Sequence, residues 1–367
     1  MFVPSAKSKF SLVVLLVVSL LLFIWVNTSR TFVKEKYHDQ KLAAAHLMQD
    51  AMDVVKEYRS AQNVYIDDQN DPGRTGLIGD KETLITTDRG SLTAKLTSLN
   101  PNMAAAVVDM FKQAKLKKGD NVAVSCTGSL PAVTMAVYSA ATVLELDLTV
   151  ITSVGASMFG ANDPDFTWLD MERLFNEKGI FSYRSVAASL GGGRDLGRGL
   201  NLAGRDLIEE AIARNEVELV KELSLEKNIE RKMAIYTQQA DTPYKLYVNI
   251  GGGLSSLGNS INGRLVSPGF HRYLSAKNIP LQGTMFLFAE QGVGVMHLLD
   301  ILKIAQNYDL PTAPDPIPEP GTGRMFVDER YNVTIAGVAL AILILLIFLV
   351  IFFDHKQLKL KEEEINI

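Results

Sequence analysis

The chain predicts an α/β protein: a layered domain with a mostly parallel sheet, flanked by one transmembrane helix at each terminus. Three observations carry this expectation. Strand-like apolar runs alternate with helical stretches over residues 62–310, the order of helices laid on a sheet. Those runs, NVAVSC and DLTVITSV among them, show little polar alternation, as strands buried on both faces do. Two long uncharged apolar stretches lie near the ends.

The elements follow in order. After a short tail (1–9), residues 10–29 hold no charge, and neither do residues 331–353. A membrane-crossing helix needs ~20 mainly apolar residues, and both runs qualify. Lys7 and Lys9 resemble the start of a signal peptide, but NTSR offers no small-x-small cleavage site, so the pattern favours an uncleaved anchor. Two spans put both termini on one side. Lys7, Lys9, Lys356, Lys359 and Lys361 on the terminal side nearly balance Arg30, Lys34, Lys36, Lys41, Arg324 and Arg330 on the other, so loop charge decides little. The signal-anchor pattern tips the expectation to a two-pass cell-membrane protein, termini cytoplasmic and large domain extracytoplasmic.

Residues 30–61 read as an amphipathic helical stalk. Tyr37, Ala44, Ala45, Met48, Met52 and Val55 recur at helical spacing, a stripe suited to packing on the domain or to a partner seam. DDQNDPGRTG is a loop. NPNMAAAVVDMFKQAKLKKGD is a helix started by Asn100 and Pro101. NVAVSC, the helix LPAVTMAVYSAATVLEL and DLTVITSV form a βαβ unit. TWLDMERLFNEKG and AGRDLIEEAIARN are helices closed by Gly179 and Asn215. LSLEKNIERKMAIYTQQ is a longer, more exposed helix. YKLYVNI and TMFLFAE read as strands, and GVGVMHLLDILKIAQNYDL as a late helix. Gly/Ser-rich loops after two strands leave room for two lobes. Five prolines make residues 311–323 a stiff linker, and residues 354–367 a charged tail.

Composition excludes some functions. The chain has 367 residues and a net charge of −4, so no basic field favours nucleic acid. Cys126 is the only cysteine, which rules out an internal disulfide and a cysteine-based zinc site.

In open parallel sheets ligands bind beyond the carboxyl ends of the strands. That rule puts SCTGS, SVGAS and GGGLSS at the ligand edge. Thr127, Gly128 and Ser129 there offer hydroxyls, close backbone approach and a free helix start for an anion; a plain tight turn capped by Ser129 explains the same residues. Gly252 and Ser255 repeat the pattern. Asp163 and Asp165 flank Pro164 and suit Mg²⁺ or acid/base work, although the spacing is not diagnostic and no metal is expected. The neighbouring Thr167 and Asp170 read as a capping box. Arg194 and Arg198, in a glycine-rich frame, suit a carboxylate or an internal acid; Arg205 suits internal pairing. A Walker loop and a G-x-S-x-G elbow are both absent, and no cofactor is expected. Ser129 is a reserve nucleophile without a matched base. Cys126 with His271 or His297 is a conceivable dyad, set against a small core thiol and a core histidine.

The longer blocks KKGDNVAVSCTGSLPA, TSVGASMFGANDPDFTWLDMERLF and SVAASLGGGRDLGRGLNLAGRDLIEEAI, with NIGGGLSSLG, resemble the poly-γ-glutamate system protein family over residues 75–310. That resemblance implies a role beside a membrane synthase that joins glutamates through their side-chain carboxylates. It implies that another subunit performs the ATP-dependent ligation, and it brings no agreed catalytic residues. The expected partners are the membrane, other synthase subunits and the anionic polymer or a γ-glutamyl oligomer. The expected function is a membrane-anchored accessory component binding polymer or synthase. One alternative is a hydrolase or transferase acting on the γ-glutamyl amide, with Ser129 as nucleophile. Another is a small-anion binding module unrelated to the polymer. Without a complete catalytic motif, enzymatic activity stays open.

Overall fold

A computed structural model describes residues 9–275, 279 and 281–365. The expected terminal tail therefore lies, except for Lys9, outside the described residues. The chain divides into two compact units, one formed by the two ends and one by residues 36–326.

In the first unit, Lys9–Thr28 and Val333–Phe353 have mean hydropathies of 2.7 and 3.4 and are long and apolar enough to cross a membrane. The second helix runs on to Ile365. A two-stranded antiparallel ribbon accompanies them, Arg30–Lys34 against Val327–Tyr331. It was not anticipated from the sequence. Its cross-strand chemistry explains it: the Arg30 guanidinium lies over the Tyr331 ring at 4.8 Å, and Arg330 reaches Glu35 at 2.9 Å. Such facing pairs are what hold a short exposed ribbon together.

The second unit is built on a seven-stranded sheet. Its spatial order is Gly269–His271, Gly294–Leu298, Leu246–Ile250, Asn121–Thr127, Asp147–Ser153, Ser185–Ser189, Glu218–Val220. Every pairing is parallel except that of Gly269–His271 at the edge. The strand Asn121–Thr127 starts mid-sheet. The chain then winds outward to Glu218–Val220 and returns to the other side of its starting strand with Leu246–Ile250. That is a doubly wound sheet, and its order reverses between Asn121–Thr127 and Leu246–Ile250. The strands are apolar because both faces are covered. On one face Ala123, Ile151, Ala187 and Tyr247 pack with Ile235 and Tyr236 of the helix Leu225–Gln239 and with Met285 and Phe286.

Three expectations need correction. The stripe packs on the domain, one of the two roles expected of it, but the 30–61 segment is no free stalk and is not helical throughout, Arg30–Lys34 being a strand. Its helical part, His38–Ala61, packs on the helices Met103–Gln113 and Pro131–Leu144, and Ala44, Ala45, Met48 and Val55 are fully buried; small alanines let the helices close. The proline-rich stretch is likewise held on the domain. Asn102 donates to the Glu319 carbonyl at 3.0 Å and accepts from the Gly321 amide at 2.9 Å. Finally, TMFLFAE is a helix, Thr284–Glu290, and the following run contributes a strand, Gly294–Leu298, before the helix Ile301–Asn307.

Candidate functional site

Order reversal splays the connections after two neighbouring parallel strands to opposite faces and opens a crevice at their carboxyl ends. Here that crevice lies beyond Thr127 and Ile250 and holds about 570 Å³. Its walls combine glycine backbone and hydroxyls with the apolar side chains of Leu130, Leu254, Leu299 and Ile301. Thr127, Ser129 and Ser153 line it, together with the turns Gly251–Gly253 and Gly191–Gly193.

Gly128 lets the chain cross here. A Cβ on it would stand 2.4 Å from the Val154 carbonyl oxygen. Its amide donates to the Ser153 carbonyl at 3.0 Å, and its carbonyl accepts from Ala161 at 2.7 Å. Ser129 accepts at Oγ from the Ser157 amide at 2.9 Å, which fixes the turn before the helix Pro131–Leu144. Gly252, by contrast, has open space beside it; the nearest atom to a Cβ there is Leu299 Cδ1 at 3.9 Å.

The charge in the crevice is mostly positive. Arg89, Lys95 and Arg198 line it against one carboxylate, Asp88. Arg198 arrives on the glycine-rich arm 191–199, where Arg194 and Asp195 both take left-handed backbone, φ 57° and 61°. Two consecutive non-glycine residues in that region are strained, and such strain collects at functional sites. Lys95 was missed from the sequence. It comes from the helix Leu92–Ser98, and its ammonium donates to the Ser129 carbonyl and to Ser157 Oγ, the latter at 3.0 Å. Burial pushes its pKa down to about 7.

Behind the crevice wall sits a closed polar cluster. Lys232 donates to Ser255 Oγ at 2.6 Å and to Ser189 Oγ at 2.8 Å. Ser153 and Ser189 donate to Asp195 Oδ1 at 2.8 and 2.9 Å. The side chain of Asn228 donates to the Asp195 carbonyl at 3.1 Å. Ser153 belongs to both cluster and crevice, so the buried charges support the crevice floor.

The remaining candidates lie elsewhere. Asp163 and Asp165 do not line the crevice: Asp163 pairs with Arg59 of the helix His38–Ala61 at 2.6 Å and takes the Asp165 amide at 3.0 Å. Asp170 forms the expected capping box with Thr167. Burial works against its carboxylate, but bonds from Arg214, Asn215 and Thr167 outweigh that and hold its pKa below the usual range. Arg194 is exposed and outside the lining. Arg205 bonds the Gly197 and Leu200 carbonyls. Ser255 is fully buried. Cys126 and the histidines form no dyad: Cys126 contacts Thr152 Oγ1 at 2.9 Å, His297 lies between Asn249 and the Gly263 carbonyl, and His271 bonds the Ser267 carbonyl. No base stands within hydrogen-bond reach of Ser129 Oγ among the described residues. No cluster of three or more His, Cys, Asp or Glu side chains suited to a metal occurs among them either.

The fold and the crevice define a class: a doubly wound α/β protein with a crevice at its switch point in which cationic side chains outnumber acidic ones. Comparisons with protein-family models, with curated proteins and with solved structures give no match.

Proposed function

We propose that the chain is a membrane-anchored accessory component of poly-γ-glutamate synthesis or export, and that its crevice holds carboxylates of the γ-linked chain. The observation that carries this reading is the switch-point crevice, lined by Arg89, Lys95 and Arg198 against a single acid. Guanidinium forks and buried ammoniums are strong carboxylate partners. The family resemblance narrows the anion to a γ-glutamyl chain. The two apolar terminal helices suit a two-pass protein of the cell membrane with its large domain outside, where a growing polymer emerges, and beside its synthase subunits. The test is genetic. Deletion of the gene lowers surface polymer, and the Arg89→Ala/Arg198→Ala double variant fails to restore it although it accumulates in the membrane. Unchanged polymer after deletion rejects the reading.

One observation favours a second reading, acyl transfer at the γ-glutamyl amide: the 2.6 Å contact from Lys232 to Ser255. It is the weaker reading. Ser255 is fully buried, neither it nor Lys232 lines the crevice, and Lys232 is also tied to the Asp195 carboxylate at 2.8 Å. Loss of polymer cleavage or transfer by purified Ser255→Ala protein, with binding intact, would support it.

A further inference from the structure

An ammonium has three hydrogens to donate. Lys95 spends two on the Ser129 carbonyl and Ser157 Oγ. Among the described residues no third acceptor and no carboxylate partner is found for it, although only 4% of the residue is exposed. Burying a charge without a counter-ion is costly. The same side chain lines the crevice, so a ligand there can supply the acceptor that the charged form lacks. We infer that Lys95 is the head-group receptor of the crevice: its third hydrogen receives one oxygen of an anionic ligand, in a subsite floored by Ser129 and Ser157. This rests on the reading of the crevice as an anion site and adds which residue takes the anion and how.

The surroundings agree. Lys95 is the one charged residue of its own helix. The helix Pro131–Leu144, packed against it, carries no charge. The helix Ile301–Asn307 on another side brings Asp300 and Lys303, both exposed. Asp88, Arg89 and Arg198 complete the charged groups of the crevice. Burial holds the empty-site pKa near 7, and a bound anion restores the ammonium. Binding at or above neutral pH therefore draws in a proton. Uptake is about half a proton near the pKa, approaches one about a pH unit higher, and vanishes well below it.

The experiment is titration calorimetry of the full chain in detergent, at neutral and mildly alkaline pH, in two buffers of different ionisation enthalpy. The probes are N-acetyl tri-γ-glutamate and inorganic sulfate, neither of which titrates in that range. The inference expects saturable binding with proton uptake that grows with pH. It also expects Lys95→Met to lose about tenfold or more in affinity together with the uptake. Uptake with the glutamate probe assigns a carboxylate ligand; uptake with sulfate alone assigns a tetrahedral oxyanion; both leave Lys95 as receptor. Binding without uptake overturns the Lys95 assignment and leaves the crevice reading standing on its arginines. No binding of either probe overturns both. The wild-type proton count needs no variant, so poor folding of Lys95→Met leaves the test intact.

Discussion

Lys232 Nζ stands 2.8 Å from Asp195 Oδ2, with side chains only 2% and 0% exposed. The pair ties the helix Leu225–Gln239 to the arm that carries Arg198. Removing one member of a buried pair strands the other, at about 3–5 kcal/mol. Asp195→Asn and Lys232→Met should each lower the melting temperature of the detergent-solubilised chain by roughly 10 °C, taking ~2–4 °C per kcal/mol. The Asp195→Asn/Lys232→Met double variant should recover much of that loss. Additive losses in the double variant would show that the two charges do not depend on each other.

Gly128 and Gly252 offer a matched contrast. Gly128→Ala pushes a methyl into the Val154 carbonyl, a backbone atom that cannot swing away. It should cost about 1–3 kcal/mol and distort the crevice. Gly252→Ala meets open space and should leave unfolding within about 0.5 kcal/mol of wild type. Chemical denaturation followed by near-ultraviolet dichroism compares them. Equal stability of the two variants would contradict the close crossing.

Lys95 makes the empty protein pH-sensitive. Unfolded, its amine has the ordinary pKa of 10.5; folded, burial holds it near 7. Between those values the unfolded chain binds more protons, so the Lys95 contribution to stability rises with pH across that window and is lowest below it. Lys95→Met removes this term. Its melting temperature relative to wild type should be highest below about pH 7 and should fall as pH climbs. A pH-independent difference between the two proteins would mean that folding leaves the Lys95 pKa unshifted.

Burial also pushes the Cys126 thiol well above its usual range, with Glu172 nearby adding to the effect. Thiolate is the reactive form, and this thiol is fully buried. Maleimide at mildly alkaline pH should leave the folded chain unlabelled and modify it once per chain in denaturant. Fast labelling of the folded protein would contradict the burial of Cys126 in the strand Asn121–Thr127.

Much of this was legible in the residues. The runs NVAVSC and YKLYVNI and their Gly/Ser ends placed Thr127, Gly128, Ser129 and Gly252 at a ligand edge; Thr127, Ser129 and Gly252 line the crevice there, whereas Gly128 serves the turn beside it. Lys95 and Lys232 were not legible. A lysine in a helical stretch reads as solvated surface, and only the packing of distant segments reveals that these two are buried. Asp163 and Asp165 looked available because Arg59, 104 residues earlier in the chain than Asp163, sat in a segment read as a stalk. TMFLFAE and GVGVMHL are short apolar runs of similar length, and periodicity alone does not separate strand from helix at that length. Polar RTFVK and VDERY gave no sign of pairing, because their partner lies at the other end of the chain.

The most direct test of the crevice as an anion site is equilibrium binding of a fluorescent γ-linked glutamate oligomer to the full chain, compared between wild type and Arg89→Ala/Arg198→Ala. The account predicts saturable binding to wild type that weakens as salt rises, and a loss of about tenfold or more in the variant. Absence of binding, or equal affinity of the two proteins, would contradict it.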